Sequence, residues 1–256
     1  MSADSTPISV QLYSVRDEAA KDFEGVLRRL GDIGFVGVEL AGFHDLTPKQ
    51  YAAIVEESGL VTSSAHLNDL SPDGLNAMLD NLQEIGCDVA VCAFMPPERF
   101  ADLGAIEASA DALNKANDIA RSRGVSLGYH NHWWEFSTSL DGKTAWSAVM
   151  DRLDTTVFAE LDIYWATLGG ADPRQVIADL GERLWLLHVK DGPCDAPESS
   201  MVSVGSGTLD IPAILTSAPT AKWHIVELDR CATDMFTALA DSYRYLVDSG
   251  QSRGRV

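Results

Sequence analysis

The stretch Gly128–Phe136, GYHNHWWEF, places two histidines, an asparagine, two tryptophans and a glutamate directly after the apolar run VSLGY, in a chain that has only six histidines. Imidazoles titrate near neutrality and ligate metals, so this is a concentration of groups able to move protons or hold a cation. Similar groups close other short apolar runs. Gln11 and Tyr13 follow ISV, Glu39 sits in FVGVELAG and His66 ends LVTSSAHL. Glu160 and Asp162 lie in TVFAELDIYW, His188 and Lys190 in RLWLLHVKD, and Glu227 and Asp229 in KWHIVELD. One such histidine alone reads as a hydrogen-bonded rim residue. His66, His130, His132 and His188 together, beside carboxylates on neighbouring runs, read as a site. Alternation along a strand puts Glu160 with Asp162, His188 with Lys190, and Glu227 with Asp229 on a common face. Convergence of these carboxylates calls for a cation. Carboxylate and imidazole donors without thiolates suit one divalent ion, Mn²⁺ first, with Co²⁺, Fe²⁺, Mg²⁺ or Zn²⁺ as alternatives. Asp162, His188 and Glu227 read as three of its ligands.

These groups need elements that bring them to one place. Short apolar runs alternate with amphipathic segments along the whole chain, and eight strands and eight helices can be counted. In DFEGVLRRLGDIG, for example, Phe23, Val26, Leu27, Leu30 and Ile33 fall on one face. Gly34, Gly59, Gly86 and Gly124 end helices just before the next strand. Strict alternation requires parallel strands joined by right-handed crossovers, and eight units in about 250 residues are the size of a (β/α)₈ TIM barrel. A doubly wound sheet would open with a glycine fingerprint after its first strand, which QLYSVRD lacks. The expected fold is α/β, one barrel domain over residues 1–256, with 1–6 and 251–256 as loose ends. In such a barrel the C-terminal strand ends form the catalytic rim, and that is where the groups above fall.

The bulk numbers exclude other classes. Net charge is −19, from 38 acidic and 19 basic residues, which repels nucleic acid and anionic membranes. The four cysteines lack CxxC spacing, which fits reduced thiols. With no signal peptide and no run of about 20 apolar residues, the expected location is the cytoplasm.

The segments QLYSVRD, GVELAG, YHNHWWEF, ELDIYW, HVKD and IVELD, in this order, resemble the xylose isomerase-like barrel superfamily, the sugar phosphate isomerase/epimerase group. The resemblance implies a mononuclear divalent metal with one ligand from each of strands five to eight, the last three being Asp162, His188 and Glu227. In keto-sugar epimerases of the superfamily the strand-five ligand is a glutamate within the strand that doubles as acid/base. Here the strand carries Tyr129 and His130, and the nearest carboxylate is Glu135. Glu135 is therefore the expected fourth ligand, with His130 as the fallback.

The implied function is a metal-dependent keto-sugar isomerase or epimerase of carbohydrate metabolism, working through an enediolate. The alternative is a lyase acting on keto-cyclitols, dehydroshikimate or 3-keto-glycosides at the same site. His130, His132, Lys190, Glu135 and Glu227 are the expected acid/base groups, with Lys190 lowered in pKa beside the cation. Gln11, Tyr13, Glu39 and His66 are expected to contact the sugar. Trp133 and Trp165 are also expected to contact it, and Trp133 and Trp134 could equally form an apolar platform for the sugar ring or pack the loop against a helix. Gly205–Gly207 (GSG) is a weak phosphate signal, and the charge favours an uncharged sugar. The small-molecule sugar is the expected partner, together with a second copy of the chain in a homo-oligomer. A DNA phosphodiesterase would need a basic surface, and a non-catalytic sugar-binding subunit would lack the metal.

Overall fold

The computed structural model describes residues 5–255; the residues of the expected loose N-terminal end before Ser5 lie outside them. Eight parallel strands close on themselves: β1 (Ile8–Gln11), β2 (Gly37–Leu40), β3 (Val61–Leu67), β4 (Val89–Cys92), β5 (Ser126–His130), β6 (Phe158–Asp162), β7 (Leu184–Val189) and β8 (Trp223–Val226). Each pairs with its neighbours in sequence, and β8 pairs with β1. The crossovers are α1 (Phe23–Ile33), α2 (Pro48–Glu57), α3 (Pro72–Ile85), α4 (Leu103–Ser122), α5 (Ala145–Met150), α6 (Pro173–Leu180) and α7 (Ile211–Thr216), and α8 (Met235–Asp248) follows the last strand. The chain is a single-domain (β/α)₈ TIM barrel, as its alternating pattern requires. Among the described residues no helix is long and apolar enough to cross a membrane.

Part of the acidic excess is used locally. Asp22, Asp102, Asp172, Asp210 and Asp234 each accept a backbone N–H at the start of α1, α4, α6, α7 and α8. A carboxylate there satisfies an orphan donor and meets the positive end of the helix dipole. At the other end of α1, Gly34 takes φ +113°, a left-handed stop that turns the chain into β2.

Inside the barrel, the alternation of each strand stacks an apolar layer below a polar one. Val91, Phe158, Leu186 and Ile225 form a separate buried cluster. A Cβ on Gly128 would lie 2.2 Å from the Phe158 ring, so glycine makes room for that ring on β5. Two residues further along their strands come His130, Glu160, His188 and Glu227. The register sets His130 beside Glu160, Asp162 beside His188, and Gln11 beside Glu39.

Three expectations are corrected. The C-terminal end is docked, not loose: Arg253 N–H donates to the Thr6 carbonyl, Arg255 N–H to that of Gly34, and the Arg255 guanidinium to that of Ser58. The sixth strand stops at Asp162 instead of running through Trp165, because the Asp162 carboxylate accepts the Trp165 N–H (2.9 Å) and starts a short helix, Ile163–Leu168. The loops at the catalytic rim also carry elements beyond the eight pairs, among them a Trp134–Ser137 turn of helix and a Ser139–Leu140/Lys143–Thr144 hairpin.

Candidate active site

At the C-terminal mouth, one nitrogen or oxygen from each of His130 (β5), Asp162 (β6), His188 (β7) and Glu227 (after β8) lies within 4.8 Å of the others. All four residues are buried. A second set, His66, His130, Glu160 and His188, meets the same criterion and shares two imidazoles with the first. The deeper set is closed upon itself. His66 Nε2 lies 2.7 Å from Glu160 and 3.1 Å from Glu39, and His188 Nε2 lies 2.7 Å from Glu39. The first set adds Asp162 and Glu227, with His188 Nδ1 2.7 Å from Glu227, and its His130 and Glu227, like His66, line a cavity of about 740 Å³.

The residues fit a divalent ion. Asp162 Oδ1 is used in capping, whereas its buried Oδ2 faces Lys190 Nζ at 2.9 Å and His130 Nε2 at 3.8 Å. Two imidazoles and two carboxylates are the donors that ions from Mn²⁺ to Zn²⁺ accept. Each imidazole also has a carboxylate behind it: Glu160 is 3.1 Å from His130 Nδ1, and Glu39 is 2.7 Å from His188 Nε2. Such outer carboxylates fix the tautomer and orientation of a ligating histidine. Asn131 ties the ends of β5 and β6 together, its Oδ1 accepting Asp162 N–H (2.9 Å) and its Nδ2 donating to the Asp162 carbonyl (3.2 Å).

The charges interlock. Burial alone would raise Glu39 and Glu160, but His66 and His188 hold Glu39 well below the usual carboxylate range and Glu160 at about 2. Reciprocally, burial lowers His66 and His188, yet the carboxylates overrule it, lifting His66 to about 10 and His188 well above its ordinary value. Burial, aided by the His188 charge, keeps His130 neutral with its pKa well down. Burial also raises Asp162 to about 6.

Several expected site residues take other places. Glu135 does not join the four donors. The helical turn after Trp133 folds it back, so that it accepts the Tyr129 hydroxyl (2.6 Å) and His132 N–H (3.0 Å), and burial raises it to about 8. His130 stands at the strand-five position instead. Gln11 and Glu39 do not reach the cavity: both are fully buried, Gln11 Nε2 donates to Glu39 (2.6 Å), and Ser64 donates to the other Glu39 oxygen (2.6 Å). Lys190 is not lowered in pKa. Burial would lower it, but Asp162, Asp229 and Glu227 at 2.7–2.9 Å hold it charged. His132 lines the cavity and is neutral, pushed to about 3 by burial and by Lys190. Trp133 and Trp165 pack against each other, centroids 4.9 Å apart, outside the cavity lining, although Lys190 lies 5.3 Å over the Trp165 ring. Tyr13 and His66 do line the cavity.

The Gly205–Gly207 loop is already filled. The buried Asp191 carboxylate accepts the N–H groups of Gly192, Gly205, Gly207 and Leu209 at 2.9–3.3 Å. A set of amides that could receive a phosphate therefore holds the chain's own anion. Sequence reasoning missed this role, and it also missed Phe94, Met78 and Leu67 on the cavity wall. No polar residue marks the end of β4, so nothing drew attention there.

A family model described as xylose isomerase-like TIM barrel matches residues 10–224. Among solved structures, a sugar phosphate isomerase/epimerase from Parabacteroides distasonis is 24% identical, covers 99% of this chain and 98% of its own, and superposes with a TM-score of 0.81. An L-ribulose 3-epimerase is 17% identical, covering 96% and 94%, with a TM-score of 0.69. The probable 3-DHS dehydratase AsbF from Bacillus anthracis is 12% identical, covering 94% and 98%, with a TM-score of 0.73. At these identities the likeness is one of fold. No curated protein matches the chain.

Proposed function

The chain belongs to the xylose isomerase-like TIM barrel family, and on that premise we propose that it is a divalent-metal-dependent isomerase or epimerase of keto-sugars, moving a proton on the carbon beside a carbonyl. The observation that carries this reading is the meeting of His130, Asp162, His188 and Glu227 beneath the cavity. These four residues would hold the ion. When bound, it would supply the positive charge that polarises a carbonyl and offsets the negative charge developing on its oxygen.

The remaining work falls to side chains facing the cavity. Lys190, kept charged by three carboxylates that take up its donors, supplies fixed positive charge beside the cavity. Glu227, held ionised by Lys190 and His188 against the effect of burial, and the neutral His132 are the groups able to receive a proton. The buried frame of Glu39, Glu160, His66 and Gln11 holds these groups in place, so that little reorganisation accompanies the reaction.

One observation favours a second reading, a lyase. Glu135 is withdrawn to Tyr129 and His132, so the carboxylate pair that would flank a carbon in an epimerase is incomplete. Glu227 and His132 lie beside a charged lysine with no second carboxylate opposite, which suits proton removal coupled to loss of a β-substituent. NMR of the manganese-loaded protein with keto-sugars and 3-keto-glycosides in D₂O separates the two. Deuterium entry at the α-carbon with an isomeric product supports the isomerase, and release of the β-substituent supports the lyase. Absence of exchange in every substrate eliminates both.

A further inference from the structure

The cavity above the four donors has two unlike halves. Its floor, from the ends of β5–β8, carries His130, Lys190 and Glu227, whereas the wall over β3 and β4 sets the apolar side chains of Leu67, Met78 and Phe94 among His66, Asn68 and Asp69. Four large apolar side chains stand exposed among the described residues, and two of them, Tyr13 (45%) and Phe94 (46%), are on this cavity. Both are held in place despite their exposure. Phe94 meets His132 and Trp134 edge to face, centroids 5.4 and 5.5 Å apart. Arg16 lies 4.1 Å over the Tyr13 ring and donates to the Tyr13 and Asp229 carbonyls. Fixed, solvent-facing aromatic rings on a concave wall suit an apolar ligand surface, because no ordering cost remains at binding. The volume, about 740 Å³, is in the range of drug-sized ligands and exceeds what one sugar ring fills.

The same cavity gives a phosphate no seat. Its acidic lining residues include Asp69, Glu227 and Asp229, Lys190 is engaged by carboxylates, and the amides of the Gly205–Gly207 loop are occupied by Asp191. We infer that the substrate is a non-phosphorylated keto-glycoside whose sugar, with its ring carbonyl, lies over the polar floor and whose apolar, ring-bearing aglycone lies against Phe94, Tyr13, Leu67 and Met78. The inference rests on the reading of the floor as a metal-dependent sugar site.

Calorimetry on the manganese-loaded full chain tests it, with paired phenyl and methyl glycosides, both anomers, in the gluco, galacto and xylo series. The expected result is a phenyl glycoside bound about tenfold more tightly than its methyl counterpart, the scale of an aromatic contact plus its buried area. Phe94→Ala, at an exposed position outside the core, abolishes that preference by lowering phenyl glycoside affinity more than methyl glycoside affinity. Tyr13→Ala reduces it. Equal affinities throughout, no binding by any glycoside, or equal losses for both members of a pair in Phe94→Ala overturn the inference, as does a sugar 6-phosphate that binds more tightly than its parent sugar. Deuterium exchange into free keto-sugars keeps the two readings apart. If exchange occurs without any aryl preference, only the aglycone site is lost; if exchange is absent from every substrate, the underlying sugar reading is lost.

Discussion

At the residue scale, the strand-five position separates the account from its nearest competitor. His130 is neutral, buried and turned towards Asp162, while both Glu135 oxygens are engaged elsewhere. His130→Ala is therefore expected to abolish stoichiometric manganese uptake, and Glu135→Gln to retain it within a few-fold, as measured by equilibrium dialysis with metal analysis. Glu160→Gln, which leaves the four donors intact but removes the carboxylate behind His130, is expected to weaken manganese binding by about 10–100-fold. Identical behaviour of Glu160→Gln and wild type would mean that Glu160 does not orient the imidazole. The types of these side chains were legible in the sequence, and so were the strands that carry them. Their directions were not. Which atom beyond a strand end turns inward depends on where the chain leaves the strand, and the turn at Trp133–Ser137 sends Glu135 backwards.

At the scale of elements, polar strand ends were readable because strand periodicity fixes which residues share a face, and the register confirms it for Glu160 with Asp162. The end of β6 was not readable, since Ile163, Tyr164 and Trp165 look like continuing strand. Only the Asp162 side chain, folded over its own backbone as a cap, shows that a helix begins there. The apolar wall escaped notice for a related reason: Leu67, Met78 and Phe94 carry no chemical mark in sequence, and only closure of the barrel sets them across from Lys190. β5 also has a tight constraint at Gly128, where a methyl group would enter the Phe158 ring. Gly128→Ala should cost about 1–3 kcal/mol as an overpacked interior, read by urea unfolding. Because His130 lies two residues further on, the same variant should weaken manganese binding. A variant as stable as wild type would show that the interior layer is looser than the structure describes.

At the scale of the whole molecule, the floor of the barrel is sealed by the C-terminal residues, with Ser252 hydrogen-bonded to His224 at 2.9 Å. Burial lowers His224 to about 4. The unfolded chain, with an ordinary histidine near 6.5, binds this proton more readily than the folded one. Stability is therefore unaffected by His224 above pH 6.5 and falls as pH drops from there to about 4, by up to about 3 kcal/mol. His224→Gln should flatten that part of the curve of stability against pH, measured by urea unfolding at a series of pH values, and an unchanged curve would contradict the assignment. The opposite end of the barrel holds the central claim, that four consecutive strands present two imidazoles and two carboxylates to one dication. Anomalous diffraction from manganese-soaked crystals tests this most directly. The account predicts one strong peak bonded to His130, Asp162, His188 and Glu227, lost in Asp162→Asn; a peak on Glu135, or no peak at this mouth, would contradict it.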